Sequence, residues 1–509
     1  MRGTLANADR VSIEGAPTSV GLCWVPSLTS LAFLLPVVLL YWQLGGPSAL
    51  LNGPETGVHV RAGEWILTHR AVPRQDLFSF SIAGRPWCDW EWLSDVFYAL
   101  LYRWAGLAAI AAFSLGLLCV TSVIVYRTAR LHAYRLCAFA ITCLVMATAT
   151  IHWLARPHLF TWLLVAAFCG VIERSRVRRQ RRLLLGLPLL MLAWVNVHPG
   201  FLAGFLILAV WWAAETAQAR LGCRREEVAD EGWSRWFTFT GLACFAATFA
   251  NPYGLHLHQH VVSYLFSSNT VTTQVAEWLS PDFHNPRLHW LELLLPLGAA
   301  AGLWHGMGRR IAWCVITLSW MHLALVSVRN VPLFAIVCAA PLASLVEHVV
   351  GQGDFGFRLH HAEESLILTR SRVGTSVCCA LAGALLIAVV CTKALQLGPA
   401  SSLPVEAIEN LPGGRLFTTD RWADYLIYVK PGRQVFFDCR NDLYGLGFVN
   451  AYQVVMTASP GWQQVLQRYG LTVALVPEGS AISTALAGSP DWRLSHRDAV
   501  AAVYLRVRQ

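Results

Sequence analysis

Long apolar runs recur along this chain, and short segments that bear arginine separate them. A helix that crosses a bilayer needs about 20 mostly apolar residues, because its backbone polar groups must be satisfied within the segment. Hydrophobic residues make up 55% of the chain and charged residues 14%, against about 25% charged residues in a soluble domain. The pattern excludes an ordinary soluble enzyme and predicts a polytopic helical membrane protein.

The length of the apolar runs predicts about eleven transmembrane helices. The runs cover residues 26–45, 106–126, 136–152, 159–173, 183–198, 200–217, 236–250, 289–306, 311–328, 331–349 and 373–395. The first run has no small-residue cleavage site and is long enough to span a bilayer. We therefore interpret it as a retained helix and not as a signal peptide.

Arginine placement predicts the orientation in the membrane. The connection after every second run is basic, and these connections cover residues 127–135, 174–182, 220–235, 309–310 and 358–372. Because such loops stay in the cytoplasm, we expect a cytoplasmic N-terminal tail over residues 1–25 and a transmembrane domain over 26–395. The same rule accounts for the net charge of +9 without a nucleic-acid partner.

Three longer pieces are expected outside the cell, namely loops 46–105 and 251–288 and the region 396–509. Short apolar stretches alternate with helical ones in the last region, which predicts a soluble α/β domain. The predicted strands are Arg415–Phe417, Gln434–Phe437, Thr472–Val476 and Val500–Leu505, and the predicted helices are Leu446–Val455 and Gly461–Tyr469. An enzyme on this side has no nucleotide-activated donor. It must use a membrane-delivered donor or hydrolyse its substrate.

The first outer loop has the composition of two helices at the membrane surface. One is expected over Glu55–His69, with Pro54 near its first turn, where proline is tolerated. The other is expected over Trp90–Trp104 as an amphipathic surface helix. Glu55 and His59 are four residues apart, so they share one face of the first helix.

Three carboxylates of this loop, Glu55, Asp89 and Glu91, are candidates for chemistry. A transferase needs a carboxylate to accept a proton from an acceptor hydroxyl or to hold a metal at a phosphate leaving group. Nearby tryptophans such as Trp87 are suited to stacking on sugar faces. The alternative is an interfacial belt, in which tryptophan lies at headgroup level and the charges face water.

Two arginines depart from the positive-inside trend. Arg156 and Arg329 are both expected on the outer side, close to the ends of apolar runs. Arginine binds phosphate oxygens with two parallel donors, so both residues are candidate ligands of a lipid-linked phosphate. The alternative is that each side chain snorkels to the lipid headgroups.

Residues 53–65 read Gly-Pro-Glu-Thr-Gly-Val-His-Val-Arg-Ala-Gly-Glu-Trp, and residues 437–445 read Phe-Asp-Cys-Arg-Asn-Asp-Leu-Tyr-Gly. With several other stretches, they resemble motifs of the bacterial GT-C superfamily of polyprenol-phosphate-sugar-dependent membrane glycosyltransferases. The first loop of that group carries Asp-Pro-Asp, Trp-His and Thr-Gly-Glu-Trp, and residues 53–65 are similar to it. Residues 437–445 are similar to the pattern Asp-Gly-Arg-x-Asp-x-Tyr. The other similar stretches are 76–80, 84–93, 156–158, 251–254, 277–283 and 328–332. The resemblance covers nearly the whole chain after residue 50.

The resemblance implies a GT-C fold, with a multi-helix membrane domain and an acidic first loop. It also implies transfer of a sugar from a polyprenyl-phosphate carrier to a glycan, lipid or protein acceptor on the outer face of the plasma membrane. Glu55 is the expected base, assisted by Glu91 or Asp89. The donor is a lipid-linked sugar, and a divalent metal (Mg²⁺ or Mn²⁺) is an option for which no ligand is assigned. The expected substrate-binding residues are His59, Arg61, Arg156, His158, His198, Arg329, Asn330, Trp87, Asp438 and Arg440.

Three positions depart from the family pattern. The first acidic residue is replaced by Gly53 (or Asn52), the tryptophan before the histidine by Val58, and the glycine of the tail motif by Cys439. Loss of one carboxylate weakens metal binding most. It favours a second hypothesis, a catalytically inactive GT-C-like scaffold or assembly protein. A transporter is a third hypothesis, but no internal repeat is visible in the sequence.

Smaller expectations concern the loops. Cys88 and Cys439 are the two cysteines expected outside, so a disulfide between them would tie the tail to the first loop. Asp438 and Arg440 could close a cavity, or they could form a structural ion pair in a tight loop. Residues 351–372 are expected to form a cytoplasmic linker.

The second outer loop offers a histidine run but no expected metal site. The three histidines at 256, 258 and 260 would fan round a helix axis instead of converging on one ion. Glu277 and Asp282 are expected to be ordinary surface residues.

Overall fold

The computed structural model of the protein describes residues 26–220, 232–266, 276–351, 372–391 and 395–507, with Gly356, Arg358 and His361. The predicted tail 1–25 and most of the predicted linker 351–372 lie outside these residues. Within them, five helices are long and apolar enough to cross a membrane. The protein is therefore a mainly helical, multi-pass membrane protein.

A helix forms in each apolar run that the sequence indicates. The helices before the C-terminal region are α1 (Leu28–Leu44), α2 (Glu55–His69), α3 (Trp92–Ala129), α4 (Arg135–Ala149), α5 (His158–Val177), α6 (Gly186–Val197), α7 (Leu202–Arg220), α8 (Gly232–Ala247), α9 (Leu255–Phe266), α10 (His289–Met307), α11 (Ile311–Val326), α12 (Val331–Val350) and α13 (Arg372–Cys391). Several are shorter than a bilayer-crossing helix. The count of eleven spans therefore stays a prediction.

Helix α3 contains a sharp break that separates a surface segment from a membrane segment. Ala105 and Gly106 have non-helical backbone angles, and Gly106 has a φ of 64°, which glycine adopts without a steric penalty. The segment before the break matches the predicted surface helix Trp90–Trp104, except that it begins two residues later, at Trp92. The segment after it is the second apolar run.

Helix α2 is held tightly between two neighbours because it carries glycine on both sides. A Cβ on Gly63 would lie 1.9 Å from the carbonyl oxygen of Asp95 on α3. A Cβ on Gly57 would lie 2.5 Å from Tyr428 Cβ in the C-terminal region. Only glycine permits both approaches. The helix has the predicted bounds, Glu55–His69.

The C-terminal region folds around a four-stranded sheet. Its elements are α14 (Val405–Glu409), β1 (Leu416–Thr418), α15 (Asp420–Val429), α16 (Asn441–Tyr444), α17 (Leu446–Met456), α18 (Trp462–Arg468), β2 (Val473–Pro477), α19 (Ala481–Ala487), β3 (Trp492–Arg497) and β4 (Ala501–Arg506). The strand order is β1-β2-β4-β3, with β1 and β2 parallel and the other pairs antiparallel. Two buried apolar clusters pack against this sheet.

The predicted strand Gln434–Phe437 is wrong, and β3 was not predicted. Val435 forms an isolated bridge with Ser79 of the first loop instead of joining the sheet. Strand β3 lies at the sheet edge and is mostly exposed after Trp492, so its sequence has no apolar run to reveal it. The other three predicted strands are confirmed, each shifted by one residue.

Backbone hydrogen bonds fasten the C-terminal region onto the first loop. Val435 N donates to Phe78 O at 2.9 Å, and Phe80 N donates to Val435 O at 3.1 Å. Arg61 Nε, on α2, donates to the carbonyl oxygen of Tyr428 at 2.9 Å. The region therefore covers the end of the helical bundle at which the first loop lies.

The predicted disulfide between Cys88 and Cys439 is wrong, because both thiols are free. The histidine run does not converge, as expected. His258 contacts Thr248 at 2.8 Å, whereas His260 pairs with Asp442 at 3.0 Å.

Candidate functional site

A cavity of about 800 Å³ lies between the membrane helices, the two long loops and the C-terminal region. Most of the predicted site residues line it, namely Glu55, His59, Trp87, Asp89, Glu91, Arg156, His158, His198, Arg329, Asn330 and Arg440. Two do not. Arg61 fastens α2 to the C-terminal region, and Asp438 lies behind Arg440 with no solvent exposure.

An ion-pair network, here called the Arg156 cluster, lies on one wall of this cavity. It comprises Arg156, Glu55, Glu277 and Arg329. Arg156 Nη1 donates to Glu277 Oε1 at 2.7 Å, and Arg156 Nη2 pairs with Glu55 Oε2. Arg329 Nε lies 3.7 Å from Glu277 Oε2. Two arginines and two carboxylates thus share one wall of the cavity.

The loop that carries Arg156 is pinned to the first loop by main-chain contacts. Ala155 N donates to Leu50 O at 2.7 Å, and Thr56 Oγ1 donates to Ala155 O at 2.9 Å. Pro157 then leads directly into α5. These contacts bring Arg156 to the first turn of α2, where Glu55 lies.

The expectation that Glu277 is a surface residue is wrong. Its loop folds inward because Val328 N donates to Leu279 O at 2.9 Å and Ser327 Oγ donates to Glu277 O at 3.1 Å. Burial alone would raise the pKa of Glu277, but the positive charge of Arg156, with His152 and Arg329, lowers it to about 2. The carboxylate is therefore ionised in the cavity.

A second group of titratable side chains surrounds Glu91. His198 Nε2 lies 3.4 Å from one Glu91 oxygen, and His59 Nε2 lies 4.0 Å from the other. The opposite nitrogen of His59 is hydrogen-bonded to Asp95 Oδ1 at 2.8 Å, and that of His198 to Thr161 Oγ1 at 2.8 Å. Both imidazole rings are thus held with one nitrogen toward Glu91.

Burial sets the protonation of Glu91 more than its neighbours do. Loss of hydration raises the pKa of Glu91 to about 8, although His59 lowers it in part. The side chain is 20% exposed, so it remains accessible from the cavity. A carboxyl group with a pKa near neutrality is well matched to general acid–base chemistry.

Asp89 is more deeply enclosed than Glu91. It is 3% exposed, and its backbone N–H donates to the hydroxyl of Tyr253 at 2.9 Å. Burial, reinforced by the neighbouring carboxylate of Asp95, raises the pKa of Asp89 well above its usual value. Asp89 Oδ1 also accepts a hydrogen bond from the backbone N–H of Glu91 at 3.4 Å, so Asp89 holds the loop before α3.

The C-terminal region contributes a second arginine network, here called the Arg440 cluster. It comprises Arg440, Asp438, Asp76 and Tyr444. Arg440 donates to Asp438 through Nε at 2.9 Å and through Nη2 at 2.6 Å, and Nη2 also donates to Asp76 Oδ1 at 2.7 Å. The ion pair expected as the structural alternative is therefore present.

The tryptophans of the first loop have separate contacts and do not form one platform. The Arg440 guanidinium carbon lies 4.7 Å from the ring centre of Trp87. Trp90 packs edge-on against His260 at 4.8 Å, and Trp92 Nε1 donates to Asn196 Oδ1 at 3.1 Å. Of the three, Trp87 and Trp90 line the cavity.

Sequence reasoning missed Glu277, His152 and Asp95 as members of the site. His152 Nε2 lies 3.8 Å from Glu277 Oε2, and both residues line the cavity. A usable signal was present for Asp95. It lies four residues after Glu91 on the predicted surface helix, so one helix face carries both carboxylates. No local signal was available for His152.

One further group has the residue types of a metal site. Single ligand atoms of Asp424, Asp438 and Cys439 lie within 4.8 Å of one another. Asp438, however, already accepts hydrogen bonds from Arg440 and from Tyr444 OH, the latter at 2.9 Å. A carboxylate has about four acceptor positions, so Asp438 has none left for an ion.

Comparison with solved structures identifies the fold of this chain. Neither a protein-family model nor a curated protein sequence matches the chain. A crystal structure of the Archaeoglobus fulgidus oligosaccharyltransferase, tethered to an acceptor peptide with the NVT sequon, matches with a TM-score of 0.57 and 13% identity. The match covers 88% of this chain and 68% of that chain. This chain has the GT-C fold.

A second solved structure agrees with the first. It is the archaeal oligosaccharyltransferase AglB from Archaeoglobus fulgidus in complex with an inhibitory peptide and a dolichol-phosphate. The TM-score is 0.59 at 12% identity, and the match covers 88% of this chain and 69% of that chain. The fold that the sequence motifs led us to expect is thereby confirmed.

Proposed function

We propose that this protein is a bacterial membrane glycosyltransferase that moves a sugar from a polyprenyl-phosphate carrier to an acceptor on the outer face of the plasma membrane. The observation that carries the proposal is the divided lining of the cavity. The Arg156 cluster lines one part of it, whereas Leu206, Leu323 and Leu333 of the membrane helices line another. A polyprenyl phosphate has the same division, with a charged headgroup and an apolar chain.

The arginines of the cavity are suited to the donor phosphate. Arg329 has a side chain that is 32% exposed, and its guanidinium carbon lies 5.0 Å from the ring centre of Trp278. Within the described residues its guanidinium donates no hydrogen bond to a side chain or carbonyl. Arginine donors match phosphate oxygens, so Arg329 is proposed to bind the leaving phosphate beside Arg156.

We assign the base to Glu91 in preference to Glu55. Burial raises the pKa of Glu55, but Arg156 opposes this shift and already engages one of its two carboxylate oxygens. Within the described residues no arginine or lysine forms a salt bridge with Glu91, and burial raises its pKa to about 8. It is proposed to take the proton of the acceptor hydroxyl, with His59 and His198 orienting its two oxygens.

The carrier and the acceptor are proposed as chemical classes. The structural neighbours are complexes with an acceptor peptide and with a dolichol-phosphate, which supports a lipid-linked donor here. A glycan, a lipid or a protein could supply the acceptor hydroxyl or amide. The arginine distribution supports a cytoplasmic N-terminus and an outer position for loops 46–105 and 251–288 and for the domain 396–509.

A transfer assay in isolated membranes tests the proposal. Radiolabelled polyprenyl-phosphate sugars are supplied to membranes that contain wild type, E91Q, R329A or the control E406Q, whose site is exposed on α14. We expect labelled product with wild type and E406Q and a loss of at least about 100-fold in E91Q. Absence of product with every donor class would contradict transfer and favour the scaffold hypothesis.

A further inference from the structure

The two carboxylates of the Arg156 cluster already have a cation between them. Arg156 directs Nη1 to Glu277 at 2.7 Å and Nη2 to Glu55. Its guanidinium is charged at every physiological pH. A divalent metal needs several oxygen ligands that are free to converge on it. Both carboxylates instead direct an oxygen at the guanidinium.

The residue at position 53 shows why the guanidinium fits there. Gly53 (or its neighbour Asn52) stands where the resemblance places the first acidic residue of the motif. A Cβ on Gly53 would lie 3.0 Å from Arg156 Nε, 3.0 Å from Arg156 Nη2 and 3.1 Å from Glu55 Oε2. A longer side chain and the guanidinium therefore compete for one space. The residues present do not fit a metal site of several carboxylates.

We infer that Arg156 takes the place of a divalent metal in this cavity and that the protein transfers sugar without one. Arg156 pairs with Glu55 and Glu277 through its two terminal nitrogens. Its third nitrogen, the buried Nε, has no hydrogen-bond partner within the described residues, which leaves the Nε–H for an oxygen of the donor phosphate. This inference rests on the proposed function only where transfer activity is measured. Its metal-binding part can be tested without any sugar transfer.

The absence of an acidic side chain at Gly53 then does not imply that the protein is inactive. Loss of the first acidic side chain removes one negative charge and opens the space that Arg156 occupies. The net charge of the Arg156 cluster, with two arginines and two carboxylates, is zero. A bound phosphate dianion would meet two guanidinium groups instead of a metal ion.

Metal binding can be measured without any sugar donor. Purified full-length protein is titrated with Mn²⁺, bound ion is followed by electron paramagnetic resonance, and Tm is recorded with and without Mn²⁺. The variants are E55Q, R156A and the double variant R156A/E55Q, and D424N is the control for the Asp424–Asp438–Cys439 group.

We expect that Glu55 binds no Mn²⁺ in the wild type, so wild type and E55Q should bind Mn²⁺ equally. In R156A the two carboxylates face an open space, so 1 mM Mn²⁺ should raise the Tm by about 2 °C or more, and R156A/E55Q should lose this gain. Wild-type binding that only D424N removes would also agree, because that ion lies elsewhere. If R156A does not fold, the comparison of wild type with E55Q still decides.

One saturable Mn²⁺ per wild-type molecule that E55Q abolishes would overturn the inference. So would transfer activity that EDTA removes and Mn²⁺ restores, since we expect EDTA to change transfer less than twofold. Failure of the transfer assay would count against the proposed function, but it leaves the Mn²⁺ result intact. The two proposals therefore fail separately.

Discussion

The Arg156 cluster and the Arg440 cluster both border the cavity, but the chain assembles them differently. In the Arg440 cluster the main partner, Asp438, is two residues away, and the guanidinium carbon lies 4.9 Å and 4.7 Å from the ring centres of Phe78 and Trp87. In the Arg156 cluster the partner Glu277 is 121 residues away. The Asp438–Arg440 pair of the first network is local in sequence, and Asp76 joins it from 364 residues away. Both carboxylate partners of Arg156 lie on other loops, so the second network has no local pair and exists only when distant loops close round the cavity.

The difference separates a structural network from one suited to binding. Asp438 has both oxygens satisfied by Arg440 and Tyr444 and is fully buried. Within the part of the chain that the structure describes, Arg156 Nε and Arg440 Nη1 both lack a hydrogen-bond partner. The side chain of Arg329, beside Glu277, is 32% exposed, whereas that of Arg440 is 7% exposed. The Arg156 cluster therefore offers the donor that a ligand can reach more easily. We therefore assign stability to the Arg440 cluster and phosphate binding to the Arg156 cluster.

Replacing Arg440 should have the largest effect on stability. R440A leaves Asp438 and Asp76 buried without a cation, and breaking a buried ion pair in this way costs about 3–5 kcal/mol. Limited proteolysis of the purified protein should show earlier cleavage within 396–509 than in R493A, a matched change at an exposed strand position. Equal cleavage of R440A and R493A would remove the structural role of the Arg440 cluster.

Replacing Glu277 should destabilise the fold less than replacing Arg440, because Arg156 keeps its ion pair with Glu55. The folded-state pKa of about 2 is below the ordinary value of 4.5, so Glu277 stabilises the fold above pH 4.5 and loses this contribution as pH falls toward 2. E277Q should lower the free energy of unfolding by about 2–3 kcal/mol at neutral pH. Chemical denaturation in detergent at pH 7 and at about pH 2.5 measures this difference. A deficit that persists unchanged at the lower pH would argue against the ion pair.

The pH dependence of transfer should report Glu91. Its pKa of about 8 means that the carboxyl group is neutral below this pH and charged above it. A base must be charged, so the rate should rise about tenfold per pH unit at acidic pH and level off near 8. The same raised pKa favours the folded state at low pH and ceases to do so as pH rises through 8. A pH profile of initial rates that is flat between 6 and 9 would exclude Glu91 as the base.

The smallest expected effect is at the hydrogen bond between Trp92 and Asn196, which joins α3 to α6 at 3.1 Å. W92F keeps the aromatic ring and removes the donor, so it should lower stability by about 1 kcal/mol. Carrier binding should not change, because Trp92 does not line the cavity. A thermal shift assay and a carrier-binding assay on the same sample distinguish the two effects.

Features with a local signal were predicted from the sequence. The bounds of α2 follow from the sequence after Pro54, and the Asp438–Arg440 pair needs only two neighbouring residues. Glu55 and His59 share a face because helix periodicity places them there. The GT-C fold came from motifs spread along the chain.

Features that depend on chain closure were not predicted. Glu277 looks like a surface carboxylate until Val328 and Leu279 pair and turn its loop inward. Strand β3 forms by pairing with β4 at the sheet edge and has no apolar period of its own. The prediction of a Cys88–Cys439 disulfide was wrong because it relied only on both cysteines lying on the outer side. That expectation says nothing about the distance between them, which a disulfide requires to be short.

The most direct test of the contrast between the two arginine networks is carrier affinity. Native mass spectrometry of the purified protein with a polyprenyl phosphate gives the Kd of wild type, R329A and R440K, and R493A serves as a matched control. Our account predicts that R329A weakens binding at least about tenfold, while R440K and R493A stay within about twofold of wild type. Wild-type affinity in R329A, with loss of binding in R440K, would contradict it and assign the phosphate to the Arg440 cluster.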